Sequence, residues 1–382
     1  MKAHVNNGID NIAQVDKLLK GKQLGLITTP TGISKDFRST IDILNENYNL
    51  SALFSPEHGV RGDIQAGEKV ETYIDDITNL PVYSLYGSTK KISQDMLKNI
   101  EVMVFDIQDV GVRHYTFLYT MTYAMESCKE NGIKFVVLDR INPLGGRIVD
   151  GAMLDEKFSS FVGKYSVPTR YGLTIGEFAN YINQKENIGC DLHVAKCSRW
   201  DRNLYFDETD LPWVLPSPNI PTIDTAILYT GLHLFEGTNV SEGRGTTKPF
   251  EFIGAPWING EDLASIMNKK AMDGAYFRPV YFKPTFSKHS GNLCKGVQVH
   301  ITDRSLIKPF EIGLQLLYEI KRLYKEFEWI KPSKQNEHYF IDLLAGSSDL
   351  RDPNFNVEDY IERNKEAVIN FAKEKEQYHI YK

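Results

Sequence analysis

The sequence predicts an α/β protein in which a doubly wound, mostly parallel sheet is followed by a smaller α+β domain. In the first half, short apolar runs alternate with stretches whose apolar residues recur at helical spacing, as expected of parallel strands covered on both faces. Four prolines then fall between Pro212 and Pro221, which excludes helix and central strand there. We therefore expect residues 1–221 to form the sheet domain and residues 222–382 the second domain.

The first domain is predicted element by element from these patterns. Apolar runs predict strands at 24–29, 50–54, 82–85, 102–107, 135–138 and 192–195. Helical spacing predicts helices through Phe37, Ile41 and Leu44 and over 117–128. Ser93 and Thr174 are expected as N-caps, and Thr174 with Glu177 matches a capping box.

The second domain is predicted to mix both element types. Helices are expected at about 223–235, near Leu263, at 310–324 and at 357–372, and strands at 280–282 and 297–301.

Composition excludes several classes of protein. The chain has 44 Lys and Arg against 50 Asp and Glu, a net charge of −6, so it lacks the positive field that nonspecific nucleic-acid binding requires. No apolar run approaches the roughly twenty residues of a membrane-spanning helix. Its four cysteines are widely spaced without a CxxC pair, which indicates reduced thiols rather than disulfides or structural zinc.

The amino terminus lacks the apolar core, about seven to fifteen residues long, of a secretory signal. We expect a cytoplasmic protein for the chain as written, and an exported one if a signal peptide has been removed.

Polar residues follow the predicted first, second, fourth and fifth strands, at 28–32, 55–62, 106–115 and 139–146. In an open parallel sheet the carboxyl ends of the strands meet at one edge, where ligands bind. The sequence therefore predicts one site at this edge.

Glu57 is the first candidate in these loops. It follows a strand and Pro56, and it lies beside His58 and Gly59, so its carboxyl group would be held in place and partly shielded from water, as a general acid needs. The alternative is a structural glutamate that caps the next helix or pairs with Arg61.

Asp106 and Asp109 are the second candidates. Asp106 directly follows an apolar run, where an ionised side chain is costly unless it has a partner. Arg113 and Tyr115 follow, so one turn offers carboxylates, a cation and a phenol. The alternative is a structural ion pair between Asp106 and Arg113, with the aromatic residues as packing.

Two further loops carry candidates. Asn142 belongs to a turn that could be purely structural, after an Asp139–Arg140 pair. The Gly-rich run 236–247 combines glycines with Asn239, Glu242 and Arg244, as a loop that grips a polyhydroxylated or anionic ligand requires. It matches neither a Walker loop nor GxGxxG.

Metal binding is not expected, and neither is a cofactor. Glu57, His58, Asp106 and Asp109 could gather around a cation, but the sequence has no HExxH, EF-hand or Cys-rich ligand spacing.

Five motifs together resemble a known family. They are SPEHG at 55–59, FDIQDVGVRHYT at 105–116, LDRINPLGG at 138–146, LPSPNIPT at 215–222 and EGTNVSEGRGTTKPFEFIGAP at 236–256. From about Gly21 to the carboxyl terminus, the chain resembles the exo-β-N-acetylmuramidase family of NamZ-like glycoside hydrolases, formerly a domain of unknown function.

The resemblance implies a glycoside hydrolase that removes N-acetylmuramic acid from the non-reducing ends of peptidoglycan fragments, in cell-wall turnover or sugar salvage. It implies a Rossmann-like domain joined to a smaller C-terminal domain, with the active site in the cleft between them. It also implies that Glu57 is the catalytic carboxylate. Members of the family are commonly exported.

Such hydrolysis generally needs one group to protonate the departing oxygen and another to act at the anomeric carbon. We interpret Glu57 as the acid and Asp106 or Asp109 as the second carboxylate. A guanidinium suits the lactyl carboxylate of muramic acid, and Arg113 and Arg244 are the candidates. The residues predicted to bind substrate are His58, Arg61, Arg113, Tyr115, Asn142, Asn239, Glu242 and Arg244.

Two other functions stay open at this point. One is a muropeptide-binding or sensor protein that keeps the cleft without turnover, and the other is a metal-dependent hydrolase on the same sheet. The expected partner in each case is a muropeptide or muramyl disaccharide, and the sequence does not indicate the oligomeric state.

Overall fold

The computed structural model describes residues 2–57, 59–62, 72–87, 90–332 and 337–382. In these ranges the strands are β1 (Gln23–Thr28), β2 (Asn49–Ser55), β3 (Tyr73–Ile74), β4 (Pro81–Ser84), β5 (Val102–Asp106), β6 (Lys134–Leu138), β7 (Asp150–Met153), β8 (Pro168–Arg170), β9 (Leu192–Ala195), β10 (Phe252–Ala255), β11 (Ala275–Phe282) and β12 (Cys294–Ile301). The helices are α1 (Asp16–Leu19), α2 (Thr40–Asn47), α3 (Gln94–Leu97), α4 (Phe117–Glu130), α5 (Ile175–Lys185), α6 (Ile223–Leu232), α7 (Gly260–Lys269), α8 (Pro309–Leu323), α9 (Phe340–Ala345) and α10 (Val357–Glu374).

The first domain is built on a sheet with the strand order β3-β4-β2-β1-β5-β6-β9. Only β3, among the described strands of this sheet, pairs antiparallel. When the parallel strands are numbered along the chain, their order is 3-2-1-4-5-6, the doubly wound Rossmann order. The predicted fold class is therefore confirmed, and the strand order reverses between β1 and β5.

Helices cover both faces of this sheet. Successive strand residues point to opposite faces, so Val104 belongs to an apolar cluster with Leu26 of β1 and Ile41 of α2. The next residue, Phe105, belongs to the cluster that contains the buried side of α4 and α5. Burial on both faces explains why these strands read as continuous apolar runs.

The predicted helix caps at Ser93 and Thr174 are confirmed, because each side chain accepts a backbone N–H of its helix. The expected start of a helix at Phe37 is wrong. Phe37 is 73% exposed and has a left-handed φ of 62°, and α2 begins at Thr40, where the Ser39 hydroxyl accepts the Asp42 N–H at 3.0 Å. A chance match to helical spacing produced the error.

The second domain contains the sheet β10-β12-β11, which is antiparallel. Helices α6 and α8 cross where a Cβ on Gly231 would meet the Pro309 carbonyl oxygen at 1.8 Å, so only glycine fits there. The segment 212–221 contains neither helix nor strand. We keep the division at residues 221 and 222 as a prediction.

No helix in the described ranges is both long and apolar enough to span a bilayer.

Candidate active site

A cavity of about 510 Å³ lies between the carboxyl edge of the parallel sheet and the second domain. Its volume falls in the range of small-ligand sites. The residues that line it and carry functional groups include Glu57, Tyr86, His114, Tyr115 and Thr116 from the first domain, and Tyr229, Glu236, Glu242, Arg244 and Lys288 from the second.

Glu57 is held at this cavity by two hydroxyl groups. Its Oε1 accepts a hydrogen bond from the Tyr86 hydroxyl at 3.0 Å, and its Oε2 accepts one from Thr116 Oγ1 at 2.8 Å. Thr116 is the N-cap residue of α4, but its side chain makes no capping bond. A carboxylate is favoured beside the amino terminus of a helix. The end of β2, the loop after β4 and the start of α4 thus fix one carboxylate.

The second domain supplies a charged wall. Arg244 places Nη2 at 2.7 Å from Glu236 Oε1 and Nε at 3.2 Å from Glu242 Oε1. Lys288 Nζ lies 2.8 Å from Glu242 Oε2. Gly243 and Gly245 flank Arg244 with φ of 78° and 80°, and a Cβ on either would lie under 3 Å from backbone oxygens. The glycines in this motif therefore let the loop hold Arg244 against the cavity.

Burial shapes the charges on this wall. It raises the pKa of Glu236 above the ordinary value. Burial lowers the pKa of Arg244, but the nearby carboxylates of Glu236 and Glu242 outweigh it and raise the pKa overall, so the guanidinium stays charged.

The segment just before α4 supplies an uncharged wall. His114 and Tyr115 are 3% and 8% exposed. Burial, followed by the charges of His233 and Arg113, lowers the pKa of His114 well below its usual value, and burial raises the pKa of Tyr115 well above its own. Both side chains are therefore neutral. Within the described part of the chain, neither His114 ring nitrogen nor the Tyr115 hydroxyl has a hydrogen-bond partner.

Asp106 does not reach the cavity. It is fully buried, and its Oδ1 and Oδ2 lie 2.5 and 2.9 Å from Arg140 Nε and Nη2. The Thr40 hydroxyl also donates to Oδ2. The expected position of Asp106 beside the substrate is wrong, because its charge is neutralised inside the protein. The alternative pair with Arg113 is also wrong, since the partner is Arg140.

Asp109 and Asn142 also lie away from the cavity lining. Asp109 Oδ2 accepts the Gly111 N–H at 2.7 Å and the Tyr171 hydroxyl, and burial raises the pKa of Asp109 to about 6. Asn142 Nδ2 donates to the Leu173 carbonyl at 2.8 Å, and its Oδ1 accepts the N–H of Leu144 at 2.9 Å. Both side chains fix loops behind the site.

Arg113 is committed to the interior of the protein. Its Nη1 donates to the carbonyls of Ala152 and Val167 at 2.7 and 2.9 Å, and its Nη2 donates to that of Leu344 at 2.9 Å. The side chain is fully buried. The expectation that Arg113 contacts the lactyl group is therefore wrong, because its guanidinium already donates hydrogen bonds to carbonyls of three separate backbone segments.

Arg61 and Asn239 make structural contacts as well. Arg61 forms a forked pair with Asp75, at 3.0 and 2.9 Å. Asn239 Nδ2 donates to the Glu326 carbonyl at 2.7 Å, and its Oδ1 accepts the N–H of Glu328 at 3.0 Å. Neither side chain lines the cavity. His58 lies outside the described residues.

Of the predicted residues, the cavity brings together Glu57, Tyr115, Glu242 and Arg244. Sequence reasoning missed Tyr86, His114, Thr116, Tyr229, Glu236 and Lys288. Tyr86 and Thr116 follow β4 and β5, so a stricter use of the strand-end rule would have found them, whereas nothing in the sequence marks Lys288. Among the described residues, no three His, Cys, Asp or Glu side chains are grouped to hold a metal ion.

Family models for the N-terminal and C-terminal parts of exo-beta-N-acetylmuramidase NamZ match residues 24–224 and 227–381. The chain belongs to the NamZ family. This result confirms the resemblance read from the five motifs.

Individual relatives of the NamZ family cover the whole chain. The peptidoglycan beta-N-acetylmuramidase NamZ of Bacillus subtilis (strain 168) is 48% identical over 387 aligned residues, which span 100% of this chain and 92% of that protein. Crystal structures of two DUF1343 family proteins from Bacteroides fragilis NCTC 9343 have the same fold. One has a TM-score of 0.91 and 38% identity over 100% of both chains. The other has a TM-score of 0.80 and 30% identity over 100% of this chain and 99% of that one.

Proposed function

We propose that this chain is an exo-acting glycoside hydrolase that releases N-acetylmuramic acid from the non-reducing ends of peptidoglycan fragments, in cell-wall turnover or sugar salvage. Membership of the NamZ family and 48% identity to a peptidoglycan β-N-acetylmuramidase support this proposal. The observation that carries it is the placement of Glu57 and Arg244 in one sugar-sized cavity, since a carboxylate and a cation are the groups that this reaction and this substrate need.

In this proposal Glu57 donates a proton to the departing glycosidic oxygen. Glu236 takes the role of second carboxylate that was expected of Asp106 or Asp109, because Glu236 lines the cavity and those aspartates do not. The Arg244 guanidinium beside Glu236 favours the carboxylate form against the effect of burial, and that carboxylate accepts the proton of the water that attacks the anomeric carbon.

Arg244 is the proposed partner of the lactyl carboxylate. Its Nη2 and Nε contact Glu236 and Glu242, and no described residue accepts a hydrogen bond from its Nη1. Lys288 is the weaker candidate, because its ammonium already donates to the carbonyls of Phe235 and Val240 and to Glu242. A planar guanidinium with a free donor can bind a further carboxylate.

Mass spectrometry of the products from two disaccharides tests the proposal. One ends in N-acetylmuramic acid and the other in N-acetylglucosamine. We expect release of the lactylated sugar alone, and we expect Arg244→Gln to reduce this selectivity about 10- to 100-fold, the value of a hydrogen bond to a charged group. Lys248→Gln is the control, since Lys248 is on the same loop but pairs with Glu251.

Three other results would count against the proposal. Saturable sugar binding without any product would indicate a binding protein, and activity that disappears with a chelator would indicate a metal-dependent hydrolase. Equal cleavage of both disaccharides would contradict the role of Arg244.

The cytoplasmic location stays a prediction, which cell fractionation would check.

A further inference from the structure

His114 is a histidine on the cavity wall whose hydrogen-bonding capacity is unused. It lines the cavity and is 3% exposed, and neither Nδ1 nor Nε2 has a partner among the described residues. The adjacent Tyr115 hydroxyl is also buried without a hydrogen-bond partner among the described residues. Buried polar groups without partners are uncommon, and each costs about 1–3 kcal/mol. Two consecutive residues with this property on one cavity wall indicate a site prepared for a ligand.

The neighbouring His233 shows the contrast with a packing histidine. The two rings stack with centroids 3.6 Å apart and an interplanar angle of 16°. His233 satisfies Nδ1 with the Tyr229 carbonyl at 3.0 Å, whereas its Nε2 has no partner among the described residues, and it is absent from the cavity lining. If His114 served only for packing, we would expect a similar internal partner. His114 differs from His233 in that it lines the cavity.

Burial keeps His114 uncharged. Burial lowers the pKa of His233 to about 3 and also lowers that of His114. A neutral imidazole offers one N–H donor and one nitrogen acceptor. The complementary group on a ligand is therefore neutral and has one donor and one acceptor of its own.

The substituents of the proposed substrate can be assigned to the two walls on this basis. The lactyl carboxylate is anionic, so it fits the wall with Arg244 and is disfavoured at a buried uncharged wall. The 2-acetamido group is neutral and carries an N–H donor and a carbonyl acceptor. We propose that His114, with Tyr115, binds the 2-acetamido group and makes the protein selective for the N-acetylated sugar. This inference rests on the proposed function.

Calorimetry with three sugars tests this assignment. The first is N-acetylmuramic acid, the second is 3-O-lactyl glucose, which has a hydroxyl in place of the acetamido group, and the third is N-acetylglucosamine, which lacks the lactyl group. We expect the wild-type protein to bind the first at least about tenfold more tightly than the second, which corresponds to one or two buried hydrogen bonds.

The variants His114→Leu and His114→Asn separate recognition from packing. We expect the leucine variant to lose the preference for the acetamido group while it keeps the preference for the lactyl group. We expect the asparagine variant, which retains a donor and an acceptor, to regain part of the first preference. If the leucine variant does not fold, the asparagine variant and the wild-type preference still decide the question.

Equal binding of the first two sugars by the wild-type protein would overturn the inference. The inference would also be overturned if His114→Leu kept the acetamido preference. It would be overturned as well if this variant lost affinity by the same factor for all three sugars. Sugar release by the wild-type protein, measured separately, tests the proposed function. A selective protein without hydrolysis would contradict only that function, and hydrolysis without the acetamido preference would contradict only the role of His114.

Discussion

Asp106 and Glu57 are carboxylates at the same edge of the sheet, but one is closed off inside the protein and the other lines the cavity. At the strand-order reversal between β1 and β5, Asp106 is fully buried and Arg140 and Thr40 use both of its oxygens. At the end of β2, Glu57 is only partly buried, and it faces a cavity with hydroxyl groups on both oxygens. Ligands of doubly wound sheets usually bind at the reversal, but here a closed ion pair occupies it.

A strand-end carboxylate thus identifies the functional edge of the sheet but not its own role. A buried charge is tolerated when it is paired inside the protein, and such a pair has nothing left for a substrate. Glu57 differs because hydroxyl groups bind both of its oxygens and because it lines a cavity.

The largest effect is expected from Glu57→Gln. The amide cannot donate the proton that the leaving group needs, so we expect kcat for N-acetylmuramic acid release to fall about 10²- to 10⁴-fold. Steady-state kinetics on a muramyl disaccharide measures it. Glu46→Gln, at an exposed glutamate of α2 that pairs with Arg38, should leave kcat unchanged. Full activity of the Glu57 variant would remove this residue from the mechanism.

Asp106→Asn should act on stability instead. The change leaves the Arg140 guanidinium buried and uncompensated, so we expect the free energy of unfolding to fall by about 3–5 kcal/mol. Urea unfolding measures the loss, and kcat of the folded fraction should stay within about threefold, a change worth less than 1 kcal/mol of barrier. A stable Asp106 variant that has lost its activity would return Asp106 to the reaction.

Asp109→Asn should change how stability depends on pH. Burial raises the pKa of Asp109 from 3.8 to about 6, so the native state keeps a proton that the unfolded chain releases. Its contribution is full below about pH 4 and is lost as the pH rises through about 6, up to about 3 kcal/mol in total.

The asparagine variant should therefore gain stability relative to the wild type between pH 4 and pH 6. Urea unfolding of both proteins across this pH range measures the difference between their free energies of unfolding. The contributions of other buried carboxyl groups are the same in both proteins and cancel in this difference. A difference that does not change with pH would show that Asp109 ionises normally.

The smallest effect is expected from Tyr86→Phe. It removes a hydrogen bond that orients Glu57, which corresponds to about 1 kcal/mol, or roughly a fivefold decrease in kcat. Tyr83→Phe is the matched control, because Tyr83 is a tyrosine of β4 that does not line the cavity. Identical rates for the two variants would mean that Glu57 does not need this hydroxyl.

Much of the fold could be predicted because burial on both faces leaves a local signal. The predicted parallel strands match the observed ones to within one or two residues. The strand β10 was missed, since Gly254 interrupts its pattern. A Cβ at Gly254 would meet the Lys295 carbonyl oxygen at 2.5 Å, so this glycine is required by a partner strand about 40 residues away, which local periodicity cannot reveal.

The site was harder to predict because contacts distant in sequence decide each role. Arg113 and Arg244 both lie in conspicuous motifs, yet Arg113 is used by carbonyls that belong to three separate segments. Lys288 comes from a loop without any motif, and it reaches Glu242 only through the fold of the second domain. Residue type and position relative to a strand identified Glu57, but they could not show which polar side chains face inward.

A crystal structure of the Glu57→Gln variant with a muramyl disaccharide tests the central claim most directly. We predict that the muramic acid residue occupies the cavity, with its lactyl carboxylate against Arg244. Its glycosidic oxygen should lie within hydrogen-bonding distance of the side-chain amide that replaces the Glu57 carboxyl group. A sugar bound at another surface, or in this cavity with its glycosidic bond turned away from that position, would contradict the claim that the carboxylate after β2 acts on the substrate.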